Sequence, residues 1–425
     1  MHNKPIRISP ARLDLFDGTV YDGGAGTAGV ELNTNVTGDL SPEMKTYYSD
    51  YLLDLAEPEL VHDQFAQKHP IPKNGGKVID FRQFDPLPEM LEPLTEGVTP
   101  DGQSLSVRNL TATVQQYGGY VTLSDLLLLT AVDNNLVQAT KLIASQAGRT
   151  LDTITREVMN AGTVVQFGGG VSARSALHYT SADSNCNLTV ADVKKAVRFL
   201  ETQNAPKIDG AYVGIIHPHC KYDLMSDPLW RNPHEYADPE HIYQNEIGEL
   251  YGVRFVQSSR AKVWEAEALA GGKPTLTVKS AVTSSTSVPV VEAISAAEAT
   301  ALAGKKVYVG SAATEVTIAS AAAGDAGSAS LTLSAAATIA KDAVIYGEGA
   351  GEKGASVYST LILGDDAYGV TEVQGGGLRH IAKQLGSGGT SDALDQRATC
   401  GWKAARVAKI LIPQYLVRIE TTATP

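Results

Sequence analysis

Cysteine is scarce, with three in 425 residues. Cys186, Cys220 and Cys400 lie far apart and form no CxxC pair, so reduced thiols are expected rather than a disulfide framework. Aromatic residues make up only 6% of the chain and charged residues only 19%. No apolar run reaches the roughly 18 residues of a membrane span. The N-terminus, MHNKPIRISPARLD, has basic residues with no apolar stretch behind them, so no signal peptide is expected and a host cytoplasm is the expected place of production. Positive charge is also short: 35 Lys and Arg against 47 Asp and Glu give a net charge of −12. That balance argues against wrapping DNA non-specifically, although one basic face remains compatible with it.

What is present is an ordinary globular apolar fraction of 43%, on a chain long enough for two or three domains. The first 40 residues, with YDGGAGTAG at Tyr21–Gly29, read as an extended arm that orders only against something else. A short helix is expected over Pro42–Glu57, with Ser41 as its N-cap. Lys77–Phe84 and Leu105–Leu123 read as strands. Between them, prolines 86, 88, 93 and 100 break any regular ladder. The picture is a two-stranded excursion with an irregular tip, which is marginal alone in water and needs a neighbour.

The clearest element is a helix over Asn134–Asn160. Leu136, Thr140, Ile143, Ala147, Leu151, Ile154 and Val158 recur at steps of three and four and mark one apolar stripe. Gly162 is positioned to end it. A second helix is expected over Val190–Gln203, capped by Thr189 with Asp192 three residues on. Strands follow at Tyr212–Ile216 and Val253–Val256. From 271 to 355 aromatics nearly vanish. Short strand-like pieces at 276–279, 288–291, 307–309, 316–319, 329–333 and 344–346 suggest a small all-β insertion, with one or two helical turns at Ser295–Leu302. Tyr358–Gly364, Ala404–Ile412 and Tyr415–Ile419 read as closing strands, ahead of a polar and loose C-terminal end.

Candidate chemistry is thin. His217, His219 and Cys220 form the best-looking ligand cluster, but turn and cap roles suit them better than zinc. Gly386–Gly389 reads GSGG without the lysine of a phosphate-binding loop. Asp152, Arg156 and Glu157 fall on or near the polar side of the long helix, where Asp152 and Arg156 can pair at i,i+4. Lys73, Asn74 and Lys77 lie near the base of the excursion, with nothing to mark a covalent cross-linking site. Glu92, Glu96, Asp101 and Arg108 fit either a solvated face or salt bridges between subunits that set register. No nucleophile, base and orienting group converge, and no catalytic residue, cofactor or metal is expected.

Several segments, in order, resemble one family. They are IPKNGGKVIDFR at Ile71–Arg82, PLTEGVTPDG at Pro93–Gly102, QAGRTLDTITREVMNAGT at Gln146–Thr163, IIHPHCKYDLMSDP at Ile215–Pro228, EIGELYGVRFV at Glu246–Val256, DAYGV at Asp366–Val370 and LDQRATCGWKA at Leu394–Ala404. Together they resemble the tailed-phage major capsid proteins grouped with the coat protein of phage N4, over roughly 40–265 and 355–420.

The resemblance implies an α+β fold of the lambdoid-capsid type. Its parts would be an N-terminal arm with a short helix (1–75), an extended β loop (76–122) and a peripheral domain with the spine helix (123–185). An axial domain (186–270 and 356–390) would be interrupted by the β-rich insertion (271–355), and peripheral return strands (391–425) would close the chain. It further implies a major capsid protein whose hexamers and pentamers build an icosahedral head around double-stranded DNA. The implied partners are many copies of itself, a portal, scaffolding proteins and a decoration protein. The implied location is the virion, with assembly in the host cytoplasm. An encapsulin-like shell protein and a phage decoration or tail protein are the alternatives.

Overall fold

A computed structural model describes residues 32–34, 61–84, 87–91, 93, 96, 102–126, 135–180, 184–230, 248–309, 314–387, 392 and 394–424. The expected helix at Pro42–Glu57, nearly all of the arm, Gly388–Gly389 of the GSGG stretch and most of the proline-rich tip lie outside these residues.

Helix α1 spans Asn135–Asn160, one residue shorter than its spacing predicts. Its buried line runs through Ile143, Ala147, Leu151, Thr155 and Met159. Ile154 and Val158, expected on that stripe, are only half-buried. The stripe turns because the second half of α1 packs a polar network: Asp152 and Thr155 are wholly buried there. The first half is apolar, and Ile143, Ala144, Ala147 and Leu151 pack on Cys400, Trp402 and Ala404.

Those three partners belong to the long Arg397–Ile410 strand of a six-stranded sheet. One edge of that strand pairs with Gln115–Ser124, from Arg397↔Ser124 to Arg406↔Gln115. Its other edge serves Arg379–Lys383 and then Tyr368–Glu372. Leu32–Thr34 and Gln67–Lys68 close the two sides as parallel edge strands.

A seven-stranded sheet forms the second layer, in the order Val165–Phe167, Leu416–Thr421, Val357–Leu363, Tyr212–Ile216, Val253–Gln257 and Glu249–Leu250, with Val263–Trp264 also on Val357–Leu363. Its central strands read as continuous apolar runs because both faces are covered. On one face α2 (Val190–Thr202) and α3 (Pro218–Ser226) bury Val193, Val197, Leu200 and Leu224 against Tyr212, Ile362 and Val417. On the other, Val213, Ile215, Leu361 and Leu363 meet Met159, Tyr368 and Ala408 of the first layer. Thr189 caps α2 as its spacing predicts: its side chain accepts from the Asp192 backbone, and the Asp192 side chain answers to the cap. α3 starts at Pro218, whose fixed φ suits a first turn.

The third sheet holds Thr275–Thr277, Val344–Gly347, Lys306–Val309, Thr314–Ala322, Ser330–Ile339 and Val282–Pro289, in that order. A bridge between Val278 and Val290 joins its two outer strands, so the sheet curls round and closes on a core of Leu276, Val288, Val307, Ile318, Leu331 and Ile345. Closure removes free sheet edges, which suits a chain segment of small Ala, Ser and Thr side chains. Helix α4 (Ala296–Leu302) begins with Ser295 and Glu298 in a reciprocal cap. Gly347 lies hard against the rest of the chain: a Cβ there would sit 2.2 Å from the Glu267 carbonyl oxygen.

The C-terminal end is not loose. Thr421, Thr422 and Ala423 are buried. Thr424 donates from its backbone and hydroxyl to Asp223, at 3.0 and 2.6 Å, and accepts from Asn187 at 3.1 Å. Polar composition alone misleads here because the hydroxyls find partners inside the fold.

Candidate assembly surfaces

Val78–Phe84 and Val107–Thr113 pair antiparallel, from Val78↔Thr113 to Phe84↔Val107. β-branched and aromatic residues favour both strands, and the ladder ends where the prolines begin. This ribbon is a separate two-stranded sheet. One side leans on its own base, with Ala112 buried and Phe81 edge-on to His69 at 5.4 Å. The other side is uncovered: Val78 is 44% exposed, Phe84 61% and Val107 44%. Beyond the ladder Leu87, Met90, Leu91 and Leu105 are exposed as well, and Gln103 donates to the Pro88 carbonyl across the two limbs at 3.3 Å. Of the four candidate contact residues, Glu96 and Arg108 lie exposed on this excursion. Glu92 and Asp101 lie outside the described residues.

The base of the excursion is held by a buried polar clamp. Asp152 on α1 accepts at one oxygen from the His62 backbone N–H, 3.0 Å, and lies 2.9 Å from His62 Nδ1. Its other oxygen faces Arg260 Nε at 3.8 Å. Next along the chain, Asp63 accepts from the Thr155 hydroxyl at 2.6 Å and forms an ion pair with Arg406. The Tyr368 hydroxyl donates to the His62 carbonyl, and burial pushes that phenol's pKa far up. Burial alone would raise the Asp152 pKa, but the His62 hydrogen bonds and the His62 and Arg260 charges outweigh it and hold the carboxyl below its ordinary value.

Asp152 therefore does not pair with Arg156 on a polar helix face. Arg156 turns instead to Glu157, 2.6 Å, and to the Arg260 carbonyl, 2.7 Å. A signal for this existed: Asp152 continues the four-residue step from buried Ala144 and Gly148.

A second cluster was not visible in the sequence. Buried Glu420 accepts two bonds from Arg174, at 2.6 and 2.7 Å, and lies 2.8 Å from Arg418 Nε. Arg418 also donates to the Asn160 and Gly162 carbonyls at the end of α1. Arg174 covers the Trp264 ring at 3.9 Å. These partners are separated by up to 258 residues in the chain, so only the fold brings them together.

His217 and His219 lie at the start of α3. Their rings stack at 5.1 Å, and both lean on Tyr358. His217 accepts from the His219 backbone N–H in the cap role expected of it. Burial, and then the nearby His219 charge, lower the His217 pKa to about 4. Cys220 is buried, 3.7 Å from the Thr421 hydroxyl. Among the described residues no three His, Cys, Asp or Glu side chains gather as metal ligands.

The arrangement matches known shells. The capsid asymmetric unit of cyanophage Pam1 overlays this chain with a TM-score of 0.50 at 15% identity, covering 84% of this chain and 88% of that one. The capsid of Ralstonia phage GP4 overlays with a TM-score of 0.49 at 10% identity, covering 85% and 88%. The first overlay shows a mixed α+β fold of the phage-capsid type. No curated protein matches the sequence. Residues 108–299, from the second strand of the ribbon through most of α4, match the model of the phage capsid protein family. The chain is a protein of the phage major-capsid family. It is accordingly a shell-forming structural protein of the virion, and not an enzyme.

Proposed function

We propose that copies of this chain form hexamers and pentamers that close into an icosahedral head around packaged double-stranded DNA. The observation that carries this reading is the ribbon with one face uncovered, on a chain of the capsid family. Two strands with exposed Val78, Phe84 and Val107 gain area and order when laid over a neighbouring copy. The arm (1–75) and the extended loop (76–122) serve as ties between copies, and many such ties turn modest contacts into a stable closed shell. The two-part peripheral domain (123–185 and 391–425) carries the long helix. The axial domain (186–270 and 356–390) surrounds the capsomer centre, with 271–355 inserted in it.

Glu92, Glu96, Asp101 and Arg108 fix the register of the tie across the subunit boundary. A portal, scaffolding proteins and a decoration protein complete the head, and the net charge of −12 suits a shell that encloses DNA without gripping it. Negative-stain microscopy of the expressed protein, alone and with its scaffold, tests the reading. Hexameric rings or closed shells are expected. A monodisperse monomer under both conditions overturns it.

A further inference from the structure

The six-stranded sheet covers only one of its faces with α1. Side chains alternate along its strands, so cross-strand partners share a face. Lys403 pairs with Arg379 on one side and Gly118 on the other; Gly401 pairs with Ile381 and Tyr120; Thr399 pairs with Lys383. This set is opposite to Cys400, Trp402 and Ala404, which face α1. Arg379, Lys383 and Lys403 are all exposed, and none of them forms an ion pair among the described residues. Between them Tyr120 is 65% exposed and Ile381 40%. The absence of side chains at Gly118 and Gly401 leaves an open groove of about 530 Å³ beside them. In a chain of net charge −12, three unpaired cations around an aromatic ring and a shallow trough form a distinctive surface.

One segment of the same chain has the complementary chemistry. Between Arg82 and Arg108 there are five acidic residues, Asp85, Glu89, Glu92, Glu96 and Asp101, and no Lys or Arg. Exposed Leu87, Met90 and Leu91 supply the apolar component.

Geometry keeps the two apart within one copy. The ribbon runs straight on in sequence into Gln115–Ser124, and its seven paired residues extend about 23 Å at roughly 3.3 Å each. Its tip lies at the end of the ribbon away from Gly118 and Tyr120. Reaching its own sheet would require the limbs to double back along the whole ladder.

We propose that the cationic outer face around Tyr120, Ile381, Lys383 and Lys403 is the docking site for the acidic tip, residues 85–106, of a second copy of this chain. The inference rests on the shell reading above and names the surface that receives its tie. Donor and acceptor are different patches, so the contact is head-to-tail, and a head-to-tail contact repeated about an axis closes into a ring. The charges act at an exposed rim, where they set register and speed encounter and weaken with salt.

Charge exchange tests it in the full-length chain. Lys383→Glu with Lys403→Glu reverses the face, and Glu92→Lys with Glu96→Lys reverses the tip. Each pair alone is expected to lower the assembled fraction roughly tenfold or more, by sedimentation and microscopy, with an unchanged melting profile. All four substitutions in one chain are expected to restore assembly. A face-reversed protein that assembles like the parent overturns the proposal, and so does a fourfold variant that is not rescued. If the face-reversed protein assembles normally but loses affinity for duplex DNA, the face belongs to phosphate and the proposal also fails.

Should reversal unfold the chain, Glu96→Cys combined with Ile381→Cys decides. Oxidation is expected to give ladders of disulfide-linked copies, since the three native cysteines are buried. Only intrachain or no linkage overturns the proposal. In all these cases a parent that still forms shells leaves the shell reading intact, whereas a parent that never assembles removes the reading itself.

Discussion

Asp152→Ala should release residues 61–66 from α1. The substitution removes the acceptor of two hydrogen bonds from His62, at 2.9 and 3.0 Å, and the counter-charge facing Arg260. Asp152 and His62 are fully buried, so water cannot replace what is lost. Removing one partner of a buried pair costs about 3–5 kcal/mol, most of it from donors left without an acceptor. At about 1.4 kcal/mol per factor of ten, local opening should become between about a hundredfold and a few thousandfold more frequent.

Hydrogen exchange on the unassembled subunit reads this directly, because protection of individual amides reports local rather than global opening. The His62 amide, bonded to Asp152, and the Ala66 amide, bonded to the Asp63 carbonyl, are the reporters. Asp152→Asn keeps one acceptor oxygen and loses only the charge, so its effect should be smaller, about 1–3 kcal/mol. Protection within threefold of the parent in Asp152→Ala would refute the reasoning. It would mean that the neighbouring Asp63–Arg406 pair holds the segment alone.

Acid should destabilise the subunit in two stages. His217 has a lowered folded pKa of about 4, so its contribution is complete above the ordinary value of 6.5 and declines as pH falls from there toward 4. Asp152, also lowered, contributes fully above about 3.8 and loses its contribution below that, so His217→Phe should flatten only the upper stage of a melting-temperature profile. Glu420→Ala leaves Arg174 and Arg418 facing each other without a counter-ion and should cost about 3–5 kcal/mol in urea unfolding; an unchanged midpoint would contradict the role given to that cluster. Burial raises the Cys220 thiol pKa to about 12, and Cys186 and Cys400 are buried too, so native protein at pH 8 should resist alkylation that goes to completion after denaturation.

Local patterns were legible wherever a single period or cap decided the outcome. The spacing from Leu136 to Leu151 fixes α1, and Thr189 with Asp192 fixes the start of α2. Val78–Phe84 and Val107–Thr113 follow from β-branched residues stopped by prolines. The polar clamp was harder to read. Asp152 sits on a helix whose opposite side is rich in charge, and only the arrival of His62, 90 residues away, makes it a buried group. The C-terminal Thr422 and Thr424 look solvated until Asn187 and Asp223 stand beside them.

The sequence by itself thus determined the periodic elements, the proline-tipped ribbon and the poverty in catalytic groupings, because each depends on residues a few positions apart. The tertiary structure alone decided which polar side chains are buried, that the small strands between Thr275 and Gly347 close into one sheet, and that three lysine and arginine side chains share one open face. Those outcomes depend on pairings across tens to hundreds of residues. There burial raises the cost of every unpartnered group, and no local pattern records which partner arrives.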